Sequence, residues 1–254
     1  MYPRIDMRQR LPYPLKPKFP LQVRSMTIAV GMICSDGIVL GADRQVTLTD
    51  GHKYDIQKIL LTEGIGWTSL IAHAGDPDFA KEVQECLGKE LSTTQQSQAM
   101  MSAPGMGAVT MFDTLEGILT GLGRQFGDVG TDLLVAGHTD GEDAKLWKFN
   151  GRSLCRADGF NCLGVGDSSL TRYLSKTLYR PDITIRQGLN LVGYIVWAAN
   201  EYIDKCSGGP DLAALRNDGI WLSPGQADLE DSLMAMEAAT PAALKRIIDA
   251  ASNP

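Results

Sequence analysis

The sequence has few of the residues that build metal sites or disulfide frameworks. It contains three histidines and five cysteines, and neither a Cys-x-x-Cys nor a His-Glu-x-x-His pattern, so a zinc site has little support. The odd number of scattered cysteines fits buried thiols in a reducing compartment better than a set of disulfides. The sequence therefore predicts a cytoplasmic protein without a metal or a cofactor.

Long apolar segments and an excess of positive charge are also absent. No run approaches the roughly 18 apolar residues that indicate a transmembrane helix. A formal net charge of -6 argues against a general surface for nucleic acid or for anionic membranes. With 44% hydrophobic and 21% charged residues, the 254-residue chain is long enough for one large domain with a core.

The first 26 residues differ in composition from the rest of the chain. They combine basic residues with repeated prolines and lack the continuous apolar region of a secretory signal. Proline disfavours regular helices and central strands, so an extension or propeptide over 1–26 is predicted before a domain over 27–254. A flexible tail, or a translation start at Met7 or Met26, would explain the same composition.

The rest of the chain alternates strand patterns with helical patterns. A hairpin is predicted where two β-rich runs flank an Asp-Gly turn. A polar, Met-rich stretch with Pro-Gly predicts a loop over 92–106. Strands are predicted at 27–34, 37–42, 58–61, 68–74, 131–138, 144–150, 154–166 and 212–222, and helices at 77–91, 108–126, 169–178, 186–204 and 241–251. This order indicates a layered α+β domain in which helices cover sheets.

Four motifs carry the candidate chemistry. The chain contains TIAVGMICSDGIVLGADRQVT from Thr27, then QKIL, IAHAG and DKCSGGPDLAALRNDG in that order. Asp43 follows Thr27 by sixteen residues, and Lys58 stands in QKIL. In residue type, order and spacing, the motifs resemble the catalytic β-type subunits of bacterial or archaeal-like proteasomes, which are N-terminal-nucleophile (Ntn) hydrolases. The resemblance covers nearly the whole chain from Thr27.

This resemblance implies a four-layer αββα sandwich and a threonine-type endopeptidase that acts on peptides or unfolded proteins. It implies assembly into a homo-oligomeric ring or with related subunits, and it implies no nucleic acid, membrane or cofactor. The residues it marks are the nucleophile Thr27, its catalytic companions Asp43, Lys58, Asp204 and Ser207, and backbone donors for the oxyanion at Gly75 (or Ala74) and Gly208.

These residue types suit one another chemically. A threonine hydroxyl is a weak nucleophile that needs a base within hydrogen-bond reach. As the first residue of a chain, Thr27 would supply its own α-amino group, whose ordinary pKa is about 8. The ammonium of Lys58 would lower the pKa of that amine, and Asp43 would hold Lys58 in place. Asp204 and Ser207 would form hydrogen bonds around the amine.

One departure from the family pattern lies in GVGDSS. Asp167 and Ser168 stand where the family has a Ser-Gly turn near the nucleophile. A carboxylate beside the amine would raise the pKa of the amine and would oppose the effect of Lys58.

Three other interpretations fit parts of the sequence. Taken singly, Thr27 is an ordinary strand residue, Asp43 is an N-cap or turn acid, and Lys58 is a solvated residue at the edge of a strand. HAGDPDF is as similar to the turn of non-catalytic α-type subunits as to that of active ones, which would make the chain an architectural subunit. An acyl-enzyme on Thr27 could also pass its acyl group to an amine, which would make the protein an amidase or a transpeptidase.

The nucleophile hypothesis predicts that natively produced protein begins at Thr27. With Met26 attached, the nitrogen of Thr27 is an amide and cannot act as a base. The chain either cuts itself before Thr27, or starts at Met26 and loses that residue to an aminopeptidase. Intact-mass measurement distinguishes a chain that begins at Thr27 from one that retains residues 1–26, and the latter as the sole species contradicts the hypothesis. Thr27→Ala should block self-cleavage only.

Overall fold

Two antiparallel five-stranded sheets form the centre of the fold. The computed structural model describes residues 27–47, 52–100, 116–117, 119–121, 131–150, 153–164, 170–203 and 206–224. Along the chain the strands are β1 (Ile28–Cys34), β2 (Gly37–Asp43), β3 (Gln45–Thr47), β4 (Lys53–Asp55), β5 (Ile59–Gly64), β6 (Trp67–Ala74), β7 (Asp132–Thr139), β8 (Glu142–Phe149), β9 (Leu154–Arg156), β10 (Phe160–Gly164), β11 (Pro210–Arg216) and β12 (Trp221–Leu222). The helices are α1 (Pro77–Met100), α2 (Leu170–Leu178) and α3 (Ile185–Tyr202).

The first sheet combines strands that are distant in sequence, whereas the strands of the second sheet follow one another in chain order. The first sheet has the order β10-β1-β2-β11-β12, and the second has the order β5-β6-β7-β8-β9. A separate two-stranded ribbon pairs β3 with β4. In the first sheet, β1 pairs with β2 from Ala29 opposite Ala42 to Cys34 opposite Gly37, so the start of β1 lies beside the end of β2.

Three hydrophobic layers hold the sheets and helices together. The apolar side chains of β1 and β2 alternate, because successive residues of a strand face opposite sides of the sheet. Leu40 faces the second sheet and packs in one cluster with Leu70, whereas Val39 faces α3 and packs in one cluster with Val192. On the far side of the second sheet, a third cluster joins Ile71 to α1. The layers therefore follow the order helix, sheet, sheet, helix, which confirms the predicted α+β sandwich.

Local sequence signals explain where the two long helices begin. Asp76 precedes α1, and its Oδ1 accepts a hydrogen bond from the amide of Asp78 at 2.9 Å, while Pro77 fills the first helical position. Thr184 and Gln187 form a capping box at the start of α3. Within the described residues, no helix is both long and apolar enough to cross a lipid bilayer.

Several sequence-based boundaries are wrong. The loop predicted over 92–106 is helical as far as Met100, because no glycine or proline interrupts the chain before Pro104. The strand predicted over 154–166 is divided between β9 in the second sheet and β10 in the first. The strand predicted over 212–222 turns back on itself at Gly219, which has a φ of 82°.

Other predicted elements are only partly covered by the structure. Residues 116–117 and 119–121 are helical, as predicted for 108–126. The extension over 1–26 and the final helix predicted over 241–251 lie outside the described residues. The ribbon of β3 and β4 was not predicted, since its three-residue strands carry no clear alternation.

Candidate active site

The side chains of Thr27, Lys58 and Asp43 meet at one end of the space between the sheets. The Nζ atom of Lys58 lies 2.9 Å from Oγ1 of Thr27 and 2.9 Å from Oδ1 of Asp43. It also donates to the backbone carbonyl of Gln45. The ammonium of Lys58 thus has three acceptors for its three N–H groups. The structure therefore brings three of the predicted catalytic residues into direct contact.

Strand pairing explains why Thr27 and Asp43 are neighbours. Thr27 immediately precedes β1, Asp43 is the last residue of β2, and the two strands run antiparallel. The amide of Ile28 donates to Oδ1 of Asp43 at 3.0 Å, which fixes the carboxylate beside the start of β1. A separation of sixteen residues in sequence therefore becomes a contact distance through one hairpin.

Lys58 reaches the site from the second sheet. It stands directly before β5, and its side chain is fully buried. A lysine is almost never fully buried unless it is paired, because its charge must otherwise be taken out of water without compensation. Asp43 is also fully buried, and Thr27 is 6% exposed. The arrangement is therefore a desolvated ion pair with a hydroxyl as its third member.

Burial and charge act on this pair in opposite directions. Burial raises the pKa of Asp43, whereas the Lys58 ammonium and the backbone amides of Ile28 and Ser207 lower it. Burial lowers the pKa of Lys58, whereas the charge and the hydrogen bond of Asp43, and the charge of Asp211, act in the opposite direction. A lysine in this state holds its proton less firmly than a lysine in water, which suits a group that interacts with a developing negative charge.

Two neighbouring titratable groups remain neutral near pH 7. Burial, with the charges of Lys58 and Lys81, lowers the pKa of His73 to about 4. Burial and the charge of Asp43 raise the pKa of Cys206 to about 12. His73 therefore adds no second cation beside Lys58, and the Cys206 thiol does not compete with Thr27 as a nucleophile.

The Ser-Gly-Gly turn holds the backbone that follows Asp43. The carbonyl of Ser207 accepts from the amide of Gln45 at 3.1 Å, and the carbonyl of Gly209 accepts from the amide of Arg44 at 3.2 Å. Gly208 has a φ of 89°, and a Cβ placed on it would lie 2.7 Å from Oδ1 of Asp55. These contacts position the Gln45 carbonyl that receives Lys58. The roles predicted for the Ser207 side chain and for the Gly208 amide stay predictions.

Gly164 lies close both to Thr27 and to the turn at Gly75 that is predicted to bind the oxyanion. It pairs with Ile28 across β10 and β1, and it has a φ of 66°. A Cβ on Gly164 would overlap the carbonyl oxygen of Thr27 and would lie 3.5 Å from the Cβ of Ala74. Gly75, which follows Ala74 with a φ of 126°, therefore begins a turn close to Thr27. The oxyanion role of Gly75 remains a prediction.

Part of the predicted site cannot be placed. Asp204, Asp167 and Ser168 lie outside the described residues. Among the described residues, no cluster of three or more histidine, cysteine, aspartate or glutamate side chains is arranged to hold a metal ion.

Comparison with known proteins identifies the family of this chain. A family model described as proteasome subunit matches residues 23–211, a range that includes Thr27, Asp43, Lys58 and the Ser-Gly-Gly turn. The chain belongs to the proteasome subunit family. The match confirms the resemblance that the four motifs suggest.

Solved structures share the fold at low sequence identity. Anbu, an ancestral β-subunit from Yersinia bercovieri, is 13% identical with a TM-score of 0.63, and the match covers 86% of this chain and 97% of that one. The Anbu (Gly-1) mutant from Hyphomicrobium sp. strain MC1 is 14% identical with a TM-score of 0.62, over 86% and 96% of the two chains. A search of curated proteins finds no match.

The contact between Gly164 and Thr27 predicts a large stability difference between two similar substitutions. Gly164→Ala should lower the free energy of unfolding by clearly more than the roughly 1–2 kcal/mol that a left-handed residue costs, because the new Cβ must displace the Thr27 carbonyl. Gly141→Ala is the matched control, since Gly141 has a φ of 84° and open space around it. Chemical denaturation measures both, and equal losses would contradict the packing described here.

Proposed function

We propose that this proteasome-family chain is a threonine-type N-terminal hydrolase that cleaves peptide bonds through an acyl-enzyme on Thr27. The observation that carries the proposal is the single Lys58 Nζ shared between Thr27 Oγ1 and Asp43 Oδ1, at 2.9 Å from each. An architectural subunit has no need to bury a lysine against a threonine hydroxyl at the cost of its desolvation. A buried cation at a nucleophile has a direct use in catalysis.

The first half-reaction forms an ester on Thr27. The free α-amino group of Thr27 accepts the hydroxyl proton while Oγ1 attacks the carbonyl carbon of the substrate. The ammonium of Lys58 stabilises the negative charge that develops on Oγ1, and the amide of Gly75 faces the oxyanion of the tetrahedral intermediate. The amine then gives its proton to the leaving nitrogen, the carbon–nitrogen bond breaks, and the acyl group remains on Oγ1.

The second half-reaction returns Thr27 to its original state. A water molecule takes the place of the departed amine, and the α-amino group accepts a proton from this water as the water attacks the ester. The intermediate collapses, the carbon–oxygen bond to Oγ1 breaks, and Oγ1 regains a proton from the amine. Asp43 keeps Lys58 in place by accepting a hydrogen bond from its Nζ. Asp204 and Ser207 are proposed to hold the amine by hydrogen bonds.

The family also supports a proposal for substrate and assembly. Members of this family are subunits, so we expect this chain to assemble with copies of itself or with related chains. If Thr27 faces the inside of such an assembly, the accessible substrates are peptides and unfolded proteins rather than folded domains.

Substitutions of Lys58 and Asp43 should distinguish a loss of catalysis from a loss of stability. Lys58→Ala should lower kcat by at least about a hundredfold, because a buried donor to the reacting oxygen is lost. It should also destabilise the fold, since the buried carboxylate of Asp43 is left unpaired. The double variant Lys58→Ala with Asp43→Asn removes that unpaired charge, so it should recover stability without recovering peptide hydrolysis.

Denaturation curves and steady-state peptide hydrolysis give the two readouts. Lys145→Ala, which breaks the partly exposed ion pair of Lys145 with Glu142, serves as a control for the loss of a lysine elsewhere. Near-wild-type hydrolysis in the double variant would reject the role proposed for Lys58.

A further inference from the structure

Asp211, in the first sheet, accepts a hydrogen bond from the backbone of Lys58, which lies beside the second sheet. A single oxygen of Asp211, Oδ2, accepts from the amide of Lys58 at 2.7 Å and from the amide of Ile59 at 3.0 Å. Asp211 lies in β11, where it is paired with Ala42, the residue before Asp43. One carboxylate oxygen therefore connects the first sheet, next to Asp43, with the point where β5 begins in the second sheet.

Both backbone polar groups of Lys58 are held from different sides. Its amide donates to Asp211 of the first sheet, and its carbonyl accepts from the amide of His73 in the second sheet at 3.3 Å. Lys58 precedes β5, so regular strand pairing begins only at the next residue. Its flexible four-carbon side chain can bring Nζ to its three acceptors only if the backbone starts from the right place. The carboxylate of Asp211 fixes that starting place from the first sheet.

We propose that Asp211 is a positioning residue of the hydrolytic site, whose carboxylate oxygen sets the Lys58 backbone so that Nζ reaches Thr27 Oγ1 and Asp43 Oδ1 together. This inference rests on the function proposed above. Asp211 stands in the fourth sequence motif, but its residue type assigns it no role there, because the bonds it accepts come from backbone amides that almost every residue carries.

The geometry requires an acceptor oxygen at this place rather than a negative charge. Both amides donate to the same oxygen, so the amide oxygen of an asparagine could accept both bonds. Burial raises the pKa of Asp211, while the two amide bonds and the charges of Arg44 and Lys58 lower it. Two conservative variants therefore separate the possible roles. Asp211→Asn keeps the oxygen in place without the charge, and Asp211→Glu keeps the charge but moves the oxygen by one methylene.

The experiment compares wild type, Asp211→Asn and Asp211→Glu as full-length, natively produced protein. Intact-mass measurement gives the fraction of chains that begin at Thr27, and kcat for peptide hydrolysis is normalised to that fraction. We expect Asp211→Asn to retain a kcat close to that of wild type. We expect Asp211→Glu to lose roughly tenfold to a hundredfold in kcat, because displacement of a catalytic group by about 1 Å has an effect of that size.

Asp36 offers a matched control. Its Oδ1 accepts from the amide of Ile185 at 2.7 Å, which is the same kind of carboxylate-to-amide bond at the other end of the β1–β2 hairpin. Asp36→Glu should lower stability without changing kcat. If Asp36→Glu reduces kcat as much as Asp211→Glu does, the effect is a general consequence of strain and the proposal is overturned.

The remaining outcomes are equally decisive. If Asp211→Asn loses activity and Asp211→Glu keeps it, the charge matters and the positioning role is rejected. Asp211 also borders a cavity of about 290 Å³ lined by β5 and β11 residues, so a raised KM with unchanged kcat would assign it to substrate binding instead. Thr27→Ala tests the proposed function separately from the role of Asp211. If peptide hydrolysis survives in Thr27→Ala, the proposed function is refuted. If hydrolysis is lost, the Asp211 variants alone decide whether Asp211 is a positioning residue.

Discussion

The burial of one lysine charge is the constraint on which the rest of this structure depends. Moving an ammonium and a carboxylate out of water costs several kcal/mol for each ion, and their attraction compensates only if the geometry is good and every donor is used. Lys58 meets this requirement with three acceptors, of which only Asp43 carries a full charge. The Thr27 hydroxyl is therefore part of the solvation of Lys58, whatever its chemical role.

The surrounding elements can be understood as supports for those acceptors. The β1–β2 hairpin presents Asp43 and the start of β1, and the turn after Cys206 holds the Gln45 carbonyl through backbone bonds. Asp211 and His73 hold the main chain of Lys58 from the two sheets. Because the site is assembled from both sheets, its geometry exists only when the whole sandwich is folded. The site is thus pre-organised by the core rather than by a flexible loop.

Local patterns predicted the elements whose signals are local. The Asp-Gly turn between alternating apolar runs predicted the hairpin, and that pairing alone brings Thr27 to Asp43. The polar composition of residues 92–100 predicts a loop, but the segment contains no helix breaker and continues α1 as far as Met100. Lys58 could be linked to Thr27 only through the family resemblance, since no periodicity relates a strand in one sheet to a strand in the other.

Contacts that use the main chain were the least predictable. Asp211, the Gln45 carbonyl and the close approach of Gly164 to Thr27 all involve backbone groups, whose positions depend on tertiary structure rather than on residue type. The first glycine of GVGDSS and the acid that follows Gly-Gly-Pro are visible in the sequence, but neither pattern specifies a partner. The contacts that support the site can therefore be recognised only in the three-dimensional structure, whereas the side chains of Thr27, Asp43 and Lys58 can be recognised in the sequence.

The most direct test of the central claim is the detection of the acyl-enzyme on Thr27. An activated peptide ester is mixed with natively produced protein, the reaction is quenched with acid within the first turnover, and the digested protein is mapped by mass spectrometry. The account predicts an added acyl mass on the fragment that begins at Thr27, and no such mass in Thr27→Ala. An adduct on any other residue, or ester turnover that persists in Thr27→Ala, would contradict the account.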